Sequence, residues 1–198
     1  MKIGILISGR GSNMVAIVDA VKSGDVPGAE IAVVISDKPD AAGLEKALER
    51  GVETVVVKRD GRTRIEHDAE IVSELKKRGV GLVCLAGYMR LLSPSFVQAF
   101  PERIINIHPS LLPSFPGLDA QRQAFEHGVR VTGCTVHYVD ERLDNGKIIL
   151  QRAVEVSPND TAESLSAKIL DIEHGTYVDA VKLMVAEKLK KVRSVHSE

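Results

Sequence analysis

Short runs of consecutive apolar residues alternate with amphipathic stretches through the first half of the chain. Such runs are typical of strands that are buried on both faces of a parallel sheet. Five of them occur, over residues 3–7, 31–35, 53–57, 82–86 and 104–107. Apolar residues at helical spacing predict three helices between these runs, over 13–21, 41–50 and 63–78. The alternation predicts an α/β fold with a Rossmann-like, mostly parallel and twisted sheet flanked by helices.

The pattern changes after His108. Three prolines between residues 109 and 117 exclude a helix there. Apolar runs over 131–139 and 147–156 predict two C-terminal antiparallel strands joined by a polar turn. The sheet is therefore expected to continue beyond its parallel part with strands of the opposite direction.

Helix boundaries are indicated by capping residues. Ser93-Pro94 is typical of a helix start, with serine as the cap and proline in the first turn. Asp160 and Glu163 match a capping box at the start of a long final helix. We expect that helix to run to about Lys190 and to be followed by a frayed tail over 192–198.

Composition and length allow one globular domain. The chain has 198 residues, of which 44% are hydrophobic, enough for one core. The formal net charge is −1, so the sequence lacks the excess of basic residues that would predict nucleic-acid binding. No apolar run approaches the roughly 20 residues that cross a bilayer, and no signal-peptide pattern follows the N-terminus. We therefore expect a cytoplasmic protein with neither nucleic-acid nor membrane partners.

The domain is expected to span 1–198, with a phosphate-binding βαβ half over 1–108 and a second half over 109–198. Its two cysteines, Cys84 and Cys134, lie in apolar runs and are expected to be small buried hydrophobic residues. No set of histidines, cysteines and acids has convincing metal-ligand spacing, so no metal is expected.

A glycine-rich bend over residues 8–13 follows the first predicted strand and opens the first helix. Glycines allow a tight turn there, and the free N–H groups of a helix N-terminus attract an anion. Gly9 and Gly11 also match the first two glycines of a dinucleotide motif, although Met14 occupies the third position. Asp37 follows the second predicted strand, which is the position of the acid that binds the ribose in dinucleotide-binding sites. A phosphate site, an NAD-dependent dehydrogenase and a plain tight turn all remain possible interpretations.

Asn106 and His108 lie at the end of the fifth predicted strand. Side chains alternate along a strand, so these two share one side while Ile107 faces the other. An amide donor and an imidazole suit an oxyanion formed when a nucleophile adds to a carbonyl. Asp144 lies in a polar turn before a glycine. If that turn folds over the strand end, its carboxylate would favour the protonated imidazole.

These segments together resemble the phosphoribosylglycinamide formyltransferases, a family of folate-dependent enzymes of purine synthesis. The resemblance covers nearly the whole chain to about Tyr177. It rests on the residues Ser8-Gly9-Arg10-Gly11-Ser12-Asn13, Leu85-Ala86-Gly87-Tyr88-Met89-Arg90, Leu92-Ser93-Pro94, Asn106-Ile107-His108-Pro109-Ser110-Leu111-Leu112-Pro113, Pro116-Gly117 and Leu143-Asp144-Asn145-Gly146.

The resemblance implies the reaction and the substrate site. The formyl group of 10-formyltetrahydrofolate, the co-substrate, would pass to the amine of N1-(5-phosphoribosyl)glycinamide, with no metal. Gly11, Ser12 and Asn13 would hold the phosphate of this glycinamide ribonucleotide, and Glu173 would contact its ribose.

The resemblance also implies a catalytic trio and a folate pocket. Asn106, His108 and Asp144 match the trio. The folate pocket would be formed by Arg64, Met89, Arg90, Leu91, Leu92, Asn106, Asp140 and Asp144.

Three positions depart from the pattern of the family, namely Asp119, Lys147 and Leu170, and these leave the details of substrate contact open. Another folate formyltransferase or a formylfolate hydrolase remains an alternative, although each is expected to need a further domain. A non-catalytic nucleotide-binding module would leave the Asn106 and His108 pair without a role. A homodimer is possible.

Overall fold

A computed structural model describes residues 1–195 of the chain and the side chains of residues 1–188. Its seven strands are β1 (Lys2–Ile7), β2 (Glu30–Ser36), β3 (Thr54–Val56), β4 (Leu82–Leu85), β5 (Ile104–His108), β6 (Val131–Tyr138) and β7 (Ile148–Glu155). Its six helices are α1 (Ser12–Lys22), α2 (Ala42–Glu49), α3 (Arg64–Lys77), α4 (Pro94–Ala99), α5 (Ala120–His127) and α6 (Ala162–Val195).

All seven strands form one sheet in the order β3-β2-β1-β4-β5-β6-β7. The pairings from β3 to β5 are parallel, whereas β6 and β7 each run antiparallel to their neighbour. This confirms the predicted fold class. The chain first moves outward from β1 to β3 and then returns to place β4 on the other side of β1. Such a reversal opens a crevice at the carboxyl ends of β1 and β4, where ligands of this fold class bind.

Helices cover the sheet on both faces, as the doubly buried strands require. One apolar cluster joins β1 to buried residues of α1 and α6, including Met14, Ile17 and Ile169. The other lies beneath α3 and α4 and includes Leu75 and Phe96. The sheet is therefore held between two cores, and its ends are left for polar residues.

The side chain of Tyr177 connects the long helix α6 to the middle of the sheet. Its side chain is completely buried, and its hydroxyl lies 2.9 Å from the carbonyl oxygen of Leu85 and 3.0 Å from that of Ile105. These carbonyls belong to the neighbouring strands β4 and β5. The phenol therefore links the helix to both strands whose ends contribute to the site described below.

Two helix starts differ from the sequence prediction. The predicted capping box of Asp160 and Glu163 is wrong by one residue: Thr161 precedes α6 and exchanges hydrogen bonds with Ser164. The carboxylate of Asp160 instead accepts bonds from the Ser157 N–H and the Ser164 hydroxyl. Helix α5 was not predicted, because its few apolar residues give a weak periodic signal.

The end of α6 lies further along the chain than expected. The helix continues past Lys190 to Val195, so most of the predicted tail over 192–198 is helical, and residues 196–198 lie outside the described part. Among the described residues, no helix combines the length and the apolar character needed to cross a membrane.

The hydroxyl of Tyr177, whose single proton is shared by the two carbonyl oxygens, predicts a stability effect. Tyr177→Phe leaves two buried carbonyls without this donor and is expected to lower the free energy of unfolding by about 1–3 kcal/mol. Urea denaturation measures the change. The matched control is Tyr138→Phe; among the side chains described, up to residue 188, the half-buried hydroxyl of Tyr138 donates to the sulfur of Met184. Equal losses in the two variants would contradict the role of Tyr177.

Candidate active site

The glycine-rich bend lies at the carboxyl end of β1 and packs closely on α2. Gly11 has a φ of 68°, in the left-handed region that favours glycine, and a Cβ there would lie 2.9 Å from the Cα of Gly43. The Gly43 N–H donates to the carbonyl of Gly9 at 3.0 Å. The turn is thus fixed by a close backbone contact, which leaves Ser12 and Asn13 at the start of α1.

A cleft of about 760 Å³ opens above this bend. Residues from five parts of the chain line it, and they include all of the predicted substrate-binding residues: Ser8, Gly9, Arg10, Gly11, Ser12, Asn13, Ala86, Gly87, Met89, Ile107, Pro109, Asp119, Gln121, Arg122, Ala162, Glu163, Ser166, Ala167, Leu170 and Glu173. Two arginines, Arg10 and Arg122, contribute positive charge beside the free N–H groups of the helix start. We call this the glycine cleft.

Glu173 is a buried acid in the wall of the glycine cleft. Its Oε2 accepts a hydrogen bond of 2.7 Å from Nδ2 of Asn13, and the residue is buried. Burial raises the pKa of the Glu173 carboxyl, while Asn13 and Arg10 partly oppose that rise. Among the described residues, the buried Oδ1 of Asn13 has no hydrogen-bond donor, so an acceptor at the same place is left unsatisfied.

The predicted catalytic residues meet at the end of β5. Nδ1 of His108 lies 3.4 Å from Oδ2 of Asp144, and both side chains are buried. Asn106 reaches the same cluster through His137, its partner across the antiparallel β5–β6 pair. Nδ2 of Asn106 lies 3.3 Å from Nε2 of His137, which in turn lies 3.8 Å from Oδ1 of Asp144. The acidic turn therefore closes over the strand end, as the sequence analysis required.

The surroundings of His137 fix its tautomer. Nδ1 lies 2.8 Å from the carbonyl of Tyr138 and must donate to it, so Nε2 is free to accept from the amide of Asn106. Burial lowers the pKa of His137, which favours this neutral form. His137 thus orients the Asn106 amide.

The loops on either side of the cluster hold His108 and Asp144 in place. Nε2 of His108 donates to the carbonyl of Phe115 at 2.8 Å, and the N–H of Gly117 donates to Oδ2 of Asp144 at 2.8 Å. Phe115 and Asp144 both have positive φ, 52° and 47°. Left-handed backbone is uncommon at non-glycine residues and is enriched at functional sites. It persists only where the surrounding contacts enforce it.

A second cleft, of about 480 Å³, lies beside the loop that follows β4. It is lined by Arg59, Arg64, His67, Asp68, Met89, Arg90 and Leu91. We call this the arginine cleft. Met89 lines both clefts, and Ile107 and Pro109, the neighbours of His108 in the chain, line the glycine cleft.

Two predicted folate residues have other surroundings. Leu92 packs against the core beneath α4 and is absent from the lining of both clefts. The carboxylate of Asp140 accepts bonds from the Arg142 N–H and the Asn145 amide, within its own loop. The remaining members of the predicted folate set lie in the arginine cleft or in the cluster at the end of β5.

Asp37 is bound to neighbouring side chains. Its Oδ1 accepts from the Ser8 hydroxyl at 2.6 Å, and its Oδ2 lies 2.8 Å from Nε of Arg90. Ser8 Oγ also accepts from the N–H of Met89 at 3.0 Å. Both carboxylate oxygens therefore have partners, so the ribose-binding role that would support a dehydrogenase has no structural support.

Sequence reasoning missed several residues of these sites. Gln121 and Arg122 enter the glycine cleft on the unpredicted helix α5. His67 of the arginine cleft is buried, and its Nε2 lies 2.7 Å from the carbonyl of Val57. The pattern Gln-Arg-Gln before Ala124-Phe125 was the available signal for α5. No local signal distinguishes a buried histidine such as His67.

Comparison with known proteins assigns the class. The chain belongs to the formyl transferase family, whose pattern matches residues 1–181. It is 41% identical over 190 residues to the phosphoribosylglycinamide formyltransferase of Haemophilus influenzae, covering 96% of this chain and 89% of that protein. The crystal structure of glycinamide ribonucleotide transformylase 1 from Symbiobacterium toebii has a TM-score of 0.92 and 51% identity over 94% of this chain and 88% of that one.

Other relatives are much longer. The trifunctional purine biosynthetic protein adenosine-3 of Drosophila pseudoobscura pseudoobscura is 45% identical over 199 residues, and the chain spans only 15% of its length. The predicted resemblance to the phosphoribosylglycinamide formyltransferases is confirmed.

The raised pKa of Glu173 predicts a pH-dependent stability difference. An acid with a raised folded-state pKa stabilises the fold while it is protonated, and this contribution is lost as the pH rises through that pKa. Glu173→Gln cannot ionise but keeps an acceptor for Asn13. The free energy of unfolding of this variant, measured in urea, is expected to rise relative to that of the wild type as the pH increases from about 4 to about 8. The exposed Glu126→Gln is the control, and a difference independent of pH would contradict the assignment.

Proposed function

We propose that the chain transfers the formyl group of 10-formyltetrahydrofolate to the amine of N1-(5-phosphoribosyl)glycinamide. The observation that carries the proposal is the cluster at the end of β5, where Asp144 lies against His108 and the amide of Asn106 is oriented by His137. The names of the full-length bacterial relatives support the same reaction. Tetrahydrofolate and the formylated amide would be the products.

The glycine cleft suits the phosphorylated substrate. Its helix N-terminus and its two arginines, Arg10 and Arg122, favour a phosphate group. Ser12 and Asn13 offer hydrogen-bond donors at the same end. Glu173 offers carboxylate oxygens to the hydroxyl groups of a ribose. This arrangement supports the assignment of Gly11, Ser12, Asn13 and Glu173 made from the family resemblance.

The arginine cleft suits the folate. Met89 and Leu91 are exposed apolar side chains that could pack on its ring systems, and Arg64 could pair with a carboxylate of its glutamate tail. Since Met89 lines both clefts, two ligands bound there would approach each other at this residue. Leu92 and Asp140 could act in the same pocket only through the backbone or after movement of their loops.

The proposed chemistry is direct transfer without a covalent enzyme intermediate. The amine nitrogen attacks the formyl carbon, and the carbonyl oxygen takes the negative charge of a tetrahedral intermediate. Asn106 donates a hydrogen bond to this oxyanion, and His108 donates a second one once its Nε2 exchanges the carbonyl of Phe115 for the oxyanion. The carboxylate of Asp144, on the other side of the ring, stabilises positive charge on His108. A proton moves from the attacking nitrogen to the folate nitrogen, directly or through His108. The bond between that nitrogen and the formyl carbon then breaks.

We also infer that residues 1–108 and 109–198 act as one domain. One sheet contains strands of both parts, and β5 and β6 join them edge to edge. The site uses residues of both parts. A homodimer and a cytoplasmic location stay predictions of the sequence analysis.

The oxyanion role predicts large rate losses. Asn106→Ala and His108→Ala each remove one donor, which is expected to lower kcat by about 10²–10³-fold. Steady-state turnover with glycinamide ribonucleotide and 10-formyltetrahydrofolate measures the loss, and circular dichroism checks the fold. Asn145→Ala, in the neighbouring loop, is the control and should keep most activity. Near-normal kcat in either test variant would refute the assignment.

The charge of Asp144 predicts a second effect. Asp144→Asn keeps the shape and an acceptor oxygen for the Gly117 N–H but removes the negative charge beside His108. We expect kcat to fall at least tenfold because one charge contact that stabilises the imidazolium is lost, a change of about 1.4 kcal/mol. Glu141→Gln in the same loop is the control. Equal turnover in the two variants would show that the charge of Asp144 has no part in the reaction.

A further inference from the structure

Formyl transfer to an amine develops charges of both signs around the formyl carbon. The attacking nitrogen becomes positive while the carbonyl oxygen becomes negative. Asn106 and His108 serve the oxygen, and the carboxylate of Asp144 is engaged by His108 and by a backbone N–H. The cluster at the end of β5 therefore offers the nitrogen no free negative charge. Such a charge has to come from the glycine cleft, which holds the amine in the proposed reaction.

The glycine cleft has three acids in its lining, Asp119, Glu163 and Glu173. Glu173 is buried and bonded to Asn13 at the start of α1. Glu163 lies in the first turn of α6, where hydrogen bonds from its own backbone and from Thr161 lower the pKa of its carboxyl. Two of the three acids are thus engaged by the protein, and Asp119 is the third.

The carboxylate of Asp119 has no such partner. Asp119 directly precedes α5, where an aspartate ordinarily accepts a bond from the N–H groups of the helix start. Here the residue has a φ of 54° and its side chain does not cap the helix. It is exposed, and among residues 1–188 it forms no ion pair. Arg122 of the same cleft acts instead on Glu163, whose pKa its charge lowers.

The chain places Asp119 close to the catalytic cluster. The segment that leads to it touches both members of the buried pair: the carbonyl of Phe115 accepts from His108, and the N–H of Gly117 donates to Asp144. Asp119 follows Gly117 by two residues, so their Cα atoms are at most about 7 Å apart. The carboxylate therefore lies in the part of the glycine cleft that borders the end of β5.

Helix α5 holds this segment rigidly. The side-chain amide of Gln123 donates to the carbonyls of Pro116 at 3.3 Å and Leu118 at 2.8 Å. The backbone N–H of Gln123 donates to the carbonyl of Asp119 at 3.0 Å. One residue thus fixes the backbone up to and including Asp119. The left-handed conformation of Asp119 is enforced by these contacts before any ligand binds, as is common at functional sites.

We propose that the carboxylate of Asp119 contacts the amine nitrogen of the substrate. It pairs with the ammonium form when the substrate binds, and it stabilises the positive charge on the nitrogen when the amine attacks. The inference rests on the proposed function, which it deepens by naming the residue that selects an amine. Asp119 then acts on the nitrogen of the tetrahedral intermediate, while Asn106 and His108 act on its oxygen.

The first test is equilibrium binding at pH 7, measured by calorimetry with the full chain. The ligands are glycinamide ribonucleotide, whose amine is mostly protonated at this pH, and an analogue with a hydroxyl group in place of the amine. The wild type is expected to bind the amine about three- to tenfold more tightly, as a contact between an ammonium and a carboxylate would give. Asp119→Asn keeps the size and removes the charge. It should bring this ratio close to one without changing the affinity for the hydroxyl analogue.

The second test is kcat/KM at about pH 9, where the free amine is mostly neutral. Asp119→Asn is expected to lower it by a similar factor, because the attacking nitrogen still becomes positive. Glu126→Gln is the matched control, since Glu126 is an exposed acid near the other end of α5, and it should change neither quantity.

An unchanged binding ratio or an unchanged kcat/KM in Asp119→Asn would overturn the inference while the proposed function stands. Equal binding of the two ligands by the wild type would do the same. A wild type that binds neither ligand and transfers no formyl group would overturn both. A general loss of structure in the variant would weaken the binding of both ligands equally, so the ratio separates it from a lost charge contact.

Discussion

The parallel pairing of β1, β4 and β5 places the carboxyl ends of all three strands on the same edge of the sheet. The reversal of strand order at β1 and β4 then leads the chain to opposite faces of the sheet, to α1 and to α4, so a crevice opens at this edge. Ser8 begins the glycine bend, Gly87 begins the loop shared by both clefts, and His108 ends β5. The N–H of Ser8 donates to the carbonyl of Gly87 at 3.1 Å, which keeps the first two loops in contact.

The polar groups at this edge lower the free energy of unfolding, and neighbouring residues hold them in place. Glu173 is buried with a raised pKa, and Asp144 has a left-handed backbone. Each such feature has a cost in free energy, and it persists only because surrounding contacts compensate for that cost. Here the enforcing contacts come from backbone groups, such as the Gly117 N–H on Asp144 and the Phe115 carbonyl on His108. The Asn106 amide, which His137 orients, is a pre-positioned donor of the kind that stabilisation of a developing oxyanion requires.

The sequence predicted the parallel strands because doubly buried strands allow almost no polar residue, so Asn106 and His108 stood out at the end of one. It did not predict α5, which has few apolar residues and begins after Asp119 in left-handed conformation. Nor could it place the α6 cap, since Asp160 and Thr161 are both good capping residues and only packing chooses between them. The role of His137 depends on cross-strand pairing with Asn106, which local pattern does not contain.

Asp37 shows why a motif needs its tertiary surroundings before it indicates a function. An acid after the second strand of a βαβ unit is the position expected of a ribose ligand, yet here Ser8 and Arg90 occupy both of its oxygens. Through Ser8 the same carboxylate also supports the N–H of Met89. The acid therefore stabilises the wall between the two clefts instead of lining one of them. Because Met89 is common to both, a single buried charge helps to set the separation at which two ligands would meet.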